Sequence, residues 1–319
     1  MNPTLEAFSL LMAVSSIALY ALAFIVFALD LGTRAAPAAV TAAEATPAAA
    51  FVGIGSTAVL APPAAPVTAL PSITRWGRVG MALTVIAWLL NATAVITRGV
   101  SVGRVPWANM YEFALTAVAI IVGVFLLAQF WRRLAFLGAY VTALALLSLV
   151  LATVNFYVDA TPLPPPLQSV WIVVHVFVAI LGTAFFSLGA GLSIVQLLQA
   201  RRAIKGTGLK FLHTLPGAET LENLAYRLNV MGFVFWTFTL IFGAIWASRA
   251  WGRYWGWDTK EVWTFIIWTI FAGYIHARAT RGWRGSRSAW LAIIGFAAVL
   301  FNFTIVNLFF KGMHAYSGL

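Results

Sequence analysis

Apolar residues come in eight runs, at about residues 8–29, 79–97, 110–131, 134–155, 170–198, 229–249, 261–279 and 288–310. Each run is near the ~20 residues that carry a helix across a bilayer. The runs are separated by short stretches holding Arg, Lys, Pro and Gly. Lipid offers no partner to a free backbone N–H or C=O, so apolar spans of this length must be helical. The pattern predicts an all-α integral membrane protein, a bundle of about eight transmembrane helices. The first run lacks a basic leader, carries Glu6 and is long enough to span, so it reads as a retained helix rather than a cleaved signal.

The rhythm breaks once. Residues 34–74 are rich in Ala, Thr and Pro, with Pro37, Pro47, Pro62, Pro63, Pro66 and Pro71. Such a stretch cannot build a packed core and reads as a disordered linker. Its apolar piece, 51–61, is too short to span and holds Gly53 and Gly55. The chain therefore divides into an N-terminal transmembrane helix (1–33), an Ala/Pro-rich cytoplasmic linker (34–74) and a membrane domain (75–319).

Composition agrees. Hydrophobic residues are 62% of the chain and charged residues 9%, against about 25% charged in a soluble domain. The net charge of +11 raises the question of nucleic acid. The basic residues sit in loops between spans, however, so topology accounts for them and no nucleic-acid partner is expected. With both termini outside, the inner side collects Arg34, Arg75, Arg78, Arg132, Arg133, Arg201, Arg202, Lys205, Lys210, Arg227, Arg278, Arg281, Arg284 and Arg287. The outer side collects Arg98, Arg104, Arg249, Arg253, Lys260 and Lys311. Cytoplasmic loops gather Lys and Arg, so this orientation is favoured. There is no Cys, so thiol chemistry would have to come from a partner.

Residues 246–268, WASRAWGRYWGWDTKEVWTFIIW, hold six of the fourteen Trp together with Gly252, Gly256, Asp258, Lys260 and Glu261. One or two Trp at this depth would be an interfacial belt. Six, broken by Gly and mixed with charge, point to a flat aromatic ligand. Trp faces stack on a large π-system, Gly permits close approach, and Arg253 and Lys260 are positioned in sequence to meet carboxylates. A porphyrin has these features. The orientation above places this segment on the extracytoplasmic side.

WGRYWGWDTKEVW resembles the tryptophan-rich "WWD" signature of haem-handling proteins in cytochrome c biogenesis, with closest likeness to the CcsA/ResC family of the two-component pathway (System II). Thr259 stands where that family usually has Pro. Asn109, Tyr111 and Glu112 resemble the family's N-x-Y-E element, and LQSVWIVVHV (167–176) resembles its LQS-x-W-x-x-x-HV element. AGYIHAR and FNFTIVNLFFKGMHAY resemble its last two helix endings. The likeness runs from about residue 80 to the C-terminus.

The resemblance implies a cell-membrane component of a cytochrome c synthase (haem lyase) complex. It would carry haem b, iron protoporphyrin IX, as bound substrate and present it for thioether attachment to the CxxCH motif of apocytochrome c. A CcsB/ResB-like membrane protein and a thioredoxin-like thiol reductant are the further partners implied. His175 and His314, both expected near the outer face, would bind the outer haem iron. Trp251, Trp255 and Trp257 would stack on the ring, and Asp258 would fix the segment. His276 lies fifteen residues past Glu261, roughly 22 Å deeper along a helix. The resemblance makes it a ligand of an inner haem iron, with the second ligand from the partner. His213 reads as a solvated loop residue.

Three other readings stand beside this one. A CcmC/CcmF-like protein of the multi-component pathway (System I) shares the Trp-rich signature. A membrane b-type cytochrome would need His pairs at matched depth on facing helices. A transporter would need polar or broken helices at the midplane.

Overall fold

A computed structural model describes residues 3–34, 73–159, 162–206, 208–280, 282–310 and 312–314. Eight long helices form the bundle: α1 (Pro3–Thr33), α2 (Arg75–Val102), α3 (Met110–Trp131), α4 (Gly138–Asn155), α5 (Val170–Lys205), α6 (Ala218–Trp251), α7 (Thr259–Thr280) and α8 (Ser286–Phe303). A short α9 (Ile305–Phe309) follows α8 after a break at Thr304. The described residues contain no strand. Most of the 34–74 linker lies outside them, but its flanks do not: Arg34 and Thr74 both donate to the buried carboxylate of Asp30.

Seven of the eight are both long and apolar enough to cross a membrane. The exception, α7, has 22 residues, enough for the crossing. Its mean hydropathy is diluted by Trp263, Trp268, four Thr, Lys260, Glu261 and Arg278. Several helices also outrun their apolar cores: α6 begins at Ala218, where hydropathy alone starts the span near 229. The extra turns carry polar side chains that bond to neighbouring elements at the bundle ends.

Lipid tails are as apolar as Leu, so helix association in a membrane depends on close packing and buried polar contacts. Both are present. The Phe27 ring of α1 lies where a Cβ at Gly80 of α2 or Gly138 of α4 would overlap it. The most extensive pairings are α5 with α6 and α1 with α2. Leu11, Ile96, Val100 and Leu127 stay exposed, as expected of a lipid-facing surface.

One end of the bundle gathers the site. Asn109 caps α3 by accepting from Glu112 N at 2.9 Å, and Glu112 reaches back to accept from Ala108 N at 3.0 Å. The pair resembles a capping box, with the Glu bond shifted one residue ahead of the N-cap. Glu112, fully buried, also accepts from Arg98 at 3.1 Å and Arg104 at 2.6 Å. Arg98 additionally pairs with Glu6 and donates to the Val158 carbonyl at 2.8 Å. The network ties α1, α2, α3 and the segment after α4 together at the end where residues 107–109 form a wall of the site. At the opposite end, Glu222 accepts from Arg278, Gly285 N and Ser288, joining α6, α7 and α8.

Candidate functional site

His175 stands in the second turn of α5, whose N-cap Ser169 accepts from Trp171 N. Its Nδ1–H donates to the Thr239 carbonyl of α6 at 3.0 Å. Gly243, one turn on from Thr239, makes this possible: a Cβ there would fall 2.8 Å from His175 Cε1. The imidazole stacks nearly parallel to Trp246, centroids 5.9 Å apart and planes at 14°. Trp246 is buried and donates its indole N–H to Pro166 O at 2.9 Å. The Pro-rich segment before α5 thereby locks the ring that backs His175.

His314 approaches from the tail beyond α9. Its Nδ1–H donates to Asp258 Oδ2 at 2.5 Å. Trp246 and Trp251 meet it edge-on, at 5.4 and 4.9 Å between centroids. The same bond holds the Asp258 carboxyl below the ordinary carboxylate range, and His314 is the largest cause. Both imidazoles thus have Nδ1 engaged by an acceptor, so that the neutral form of each carries its lone pair on Nε2. His175 and His314 line one cavity, together with Trp246, Trp255, Lys260 and Asn302.

The Trp-rich turn that shapes this cavity is held by its own residues. Gly252 ends α6 in the left-handed region at φ 73°, where a side chain would be strained. Glu261 accepts from Gly256 N at 2.8 Å and from Asp258 N at 3.1 Å. Asp258-x-x-Glu261 is therefore the second half of a capping box. The Asp side chain is diverted to His314, and the Glu alone closes the turn. Trp257 is the single non-Gly residue with positive φ, at 59°, among those described.

The expected site residues thus divide. His175, His314 and Trp255 line the cavity. Asp258 and Trp251 contact His314 from outside it. Trp257 is turned outward, 77% exposed, and meets Trp255 edge-on rather than the cavity. A stacking role for Trp257 inside the cavity is not what this geometry offers. His276 lies exposed toward the other end of α7, two residues before Arg278, and does not join the cavity. His213 is bonded to Arg202 in an exposed loop.

Residues not legible as site residues from sequence include Thr239, Gly243, Asn302 and Asn307, whereas Trp246 lies within the Trp-rich segment read as a candidate site. Thr239 and Gly243 are one helical turn apart on α6, a spacing visible in the sequence, but its meaning depends on α5 lying against it. The D-x-x-E spacing of Asp258 and Glu261 was a readable capping signal.

The family profile described as "Cytochrome C assembly protein" matches residues 107–314. The chain is similar to the "Cytochrome c biogenesis protein CcsA" of Guillardia theta, 34% identical over 261 residues, covering 76% of this chain and 86% of that protein. It is 33% identical to the CcsA of Synechococcus sp. (strain JA-3-3Ab) over 302 residues, covering 78% and 88%. Among solved structures, the "Cytochrome c Heme Lyase CcmF" superposes with a TM-score of 0.64 at 16% identity. That match covers all of this chain but 49% of CcmF, so the chain spans about half the length of that structure, and the likeness is one of fold. With the matched profile spanning the cavity walls from Trp107 to His314, the chain belongs to the cytochrome c assembly protein family, among the CcsA proteins of cytochrome c biogenesis.

Proposed function

We propose that this protein holds haem at the extracytoplasmic end of the bundle, between His175 and His314, and presents it for covalent attachment to apocytochrome c. One observation carries the reading. Two imidazoles from distant parts of the chain, each with Nδ1 already bonded, converge on one aromatic-walled cavity. Metal-bound His normally has its second nitrogen held by a carbonyl or carboxylate, and these two have one of each. The donor set suits a macrocycle-held iron, which needs only axial ligands, and the Trp walls suit its faces.

The protein supplies position; the reactivity resides in the haem vinyl groups and the substrate's CxxCH thiols. Holding the reactants in register is worth roughly 7–11 kcal/mol of barrier. Trp246 and Trp255 confine the ring, Asp258 and Thr239 aim the imidazoles, and the Glu261-braced turn keeps the wall in place. The substrate's own His then takes an axial position. His276, at the inner end of α7, serves a second haem whose other ligand comes from a CcsB/ResB-like membrane partner. The charge distribution supports placing both termini and the Trp-rich turn outside the cell membrane.

The test is a reduced-minus-oxidised spectrum of the purified full chain, alone and with a CcsB-like partner, for wild type, His175→Ala, His314→Ala and His276→Ala. The reading expects a bis-imidazole haem whose spectrum His175→Ala and His314→Ala alter. His276→Ala should change only a signal that needs the partner. Haem absent from both preparations, or unaffected by either outer substitution, overturns it.

A further inference from the structure

The cavity wall formed by α7, α8 and α9 carries a positive charge that forms no ion pair within 4.0 Å among the described residues. Lys260 lines the cavity. Its ammonium donates to Asn307 Oδ1 and lies 5.5 Å from the Phe303 ring centroid. None of the ion pairs among the described residues includes it. The two neighbouring acids are committed elsewhere, Asp258 to His314 and Glu261 to the backbone of the Trp-rich turn.

A second polar group on the same wall is unmatched. Asn302 is 2% exposed and lines the cavity. Its Nδ2 reaches Thr264 Oγ1 at 3.3 Å, but its Oδ1 is buried with no hydrogen-bond partner. Burying an ammonium without a counter-charge costs more than an amide and an aromatic face return. Ionisable groups in membrane segments tend to be kept for a ligand or a pathway. The unfilled Asn302 oxygen accepts only and calls for a donor such as water, so it does not itself take a carboxylate. The ammonium of Lys260, on an aromatic-walled cavity, is the group that suits a carboxylate on a flat apolar guest.

We propose that Lys260, steadied by Asn307, receives a propionate of the bound porphyrin and so fixes which edge of the ring meets the α7–α9 wall. This rests on the haem reading above and extends it from the iron to the ring periphery. The propionates and the vinyl groups occupy opposite halves of protoporphyrin IX. Anchoring the acid edge at Lys260 turns the vinyl edge away from that wall. Lys260 is then a positioning residue: it sets the orientation of the ring and forms no bond to the reacting carbons.

The experiment compares iron protoporphyrin IX with its dimethyl ester, in which both carboxylates are capped. Each is titrated into the detergent-purified full chain and followed by its Soret band. Wild type should prefer the diacid by about ten- to a hundredfold, the usual scale of a charge-assisted contact. Lys260→Met and Lys260→Gln should bring that ratio close to one while keeping the bis-imidazole spectrum, and Lys260→Arg should restore it. A wild-type chain that binds acid and ester equally overturns the proposal without any variant. So does a Lys260→Met or Lys260→Gln protein that keeps the full preference. If wild type binds neither compound with a bis-imidazole spectrum, the haem reading itself falls and takes this proposal with it.

Discussion

His314 Nδ1 and Asp258 Oδ2 lie 2.5 Å apart, joining the chain's tail to the centre of its Trp-rich turn across 56 residues. The contact does two things at once. It ties down a segment beyond the last helix, and it fixes the tautomer of neutral His314 with Nε2 bare. Asp258→Asn should therefore preserve the turn, which Glu261 holds, while weakening the imidazole as a donor. Loss of such an outer-sphere partner typically lowers metal affinity about 10–100-fold. Haem titration of the variant checks this, and an unchanged affinity would reduce Asp258 to a structural tether.

The same contact has a definite pH dependence. Bonding to His314 holds the Asp258 carboxyl below its ordinary range. A depressed carboxyl contributes stability that is present above the unfolded pKa, about 3.9, and is lost as pH falls through the lower folded value. Tail docking should thus be level from pH 7 to about 5 and weaken only below about 4. Hydrogen exchange across residues 312–314, taken over that range, should show this profile in wild type and lose it in Asp258→Asn. Release of the tail already near pH 6 would mean that another group controls it.

Gly243 offers a way to move one imidazole without deleting it. A methyl there would sit 2.8 Å from His175 Cε1 and 2.9 Å from Nδ1, closer than atoms tolerate. Ala is a better helix former than Gly by about 1 kcal/mol, so Gly243→Ala should leave α6 intact. It should displace His175 from the Thr239 carbonyl and reproduce the spectrum of His175→Ala. A wild-type spectrum in Gly243→Ala would show that the helices part easily at this point, and that the α5–α6 contact does not aim the ring.

Much of this was legible in the sequence, for physical reasons that differ by residue. Spans are legible because lipid imposes a length and a composition, and even α7 stood out despite its Trp and Thr content. Asn109 and Glu112 were visible as an element, since capping spacing is local. Their burial beneath Arg98 and Arg104 was not, because it depends on α1 and α2 meeting α3. His175 and His314 could be paired by face but not by partner: Thr239 and Trp246 meet His175 through the α5–α6 packing, and Asp258 meets His314 through the docking of the tail. The outward turn of Trp257 follows from its left-handed backbone, which no apolar pattern encodes. Asn307 was hidden by the helix break at Thr304, which shifts its register relative to α8, where Asn302 lies, by an amount the sequence does not declare.

The Arg98 network tests how far the site depends on its scaffold. Arg98 is 1% exposed and bonds Glu6, Glu112 and the Val158 carbonyl. Removing one member of a buried ion network leaves charge uncompensated and typically costs about 3–5 kcal/mol. Arg98→Met should therefore lower the thermal midpoint clearly. It should also loosen haem retention, because Glu112 anchors Ala108 N and the Trp107–Asn109 wall of the cavity. Arg284→Ala is the matched control. Its pairing with Glu219 is 4.0 Å long and largely exposed, the kind of contact that contributes about 0–1 kcal/mol. Thermal unfolding in detergent, read with haem content, separates the two. If Arg98→Met behaves like Arg284→Ala, water reaches the network in the membrane-bound protein, and the loop 103–109 is held by its capping bonds rather than by charge.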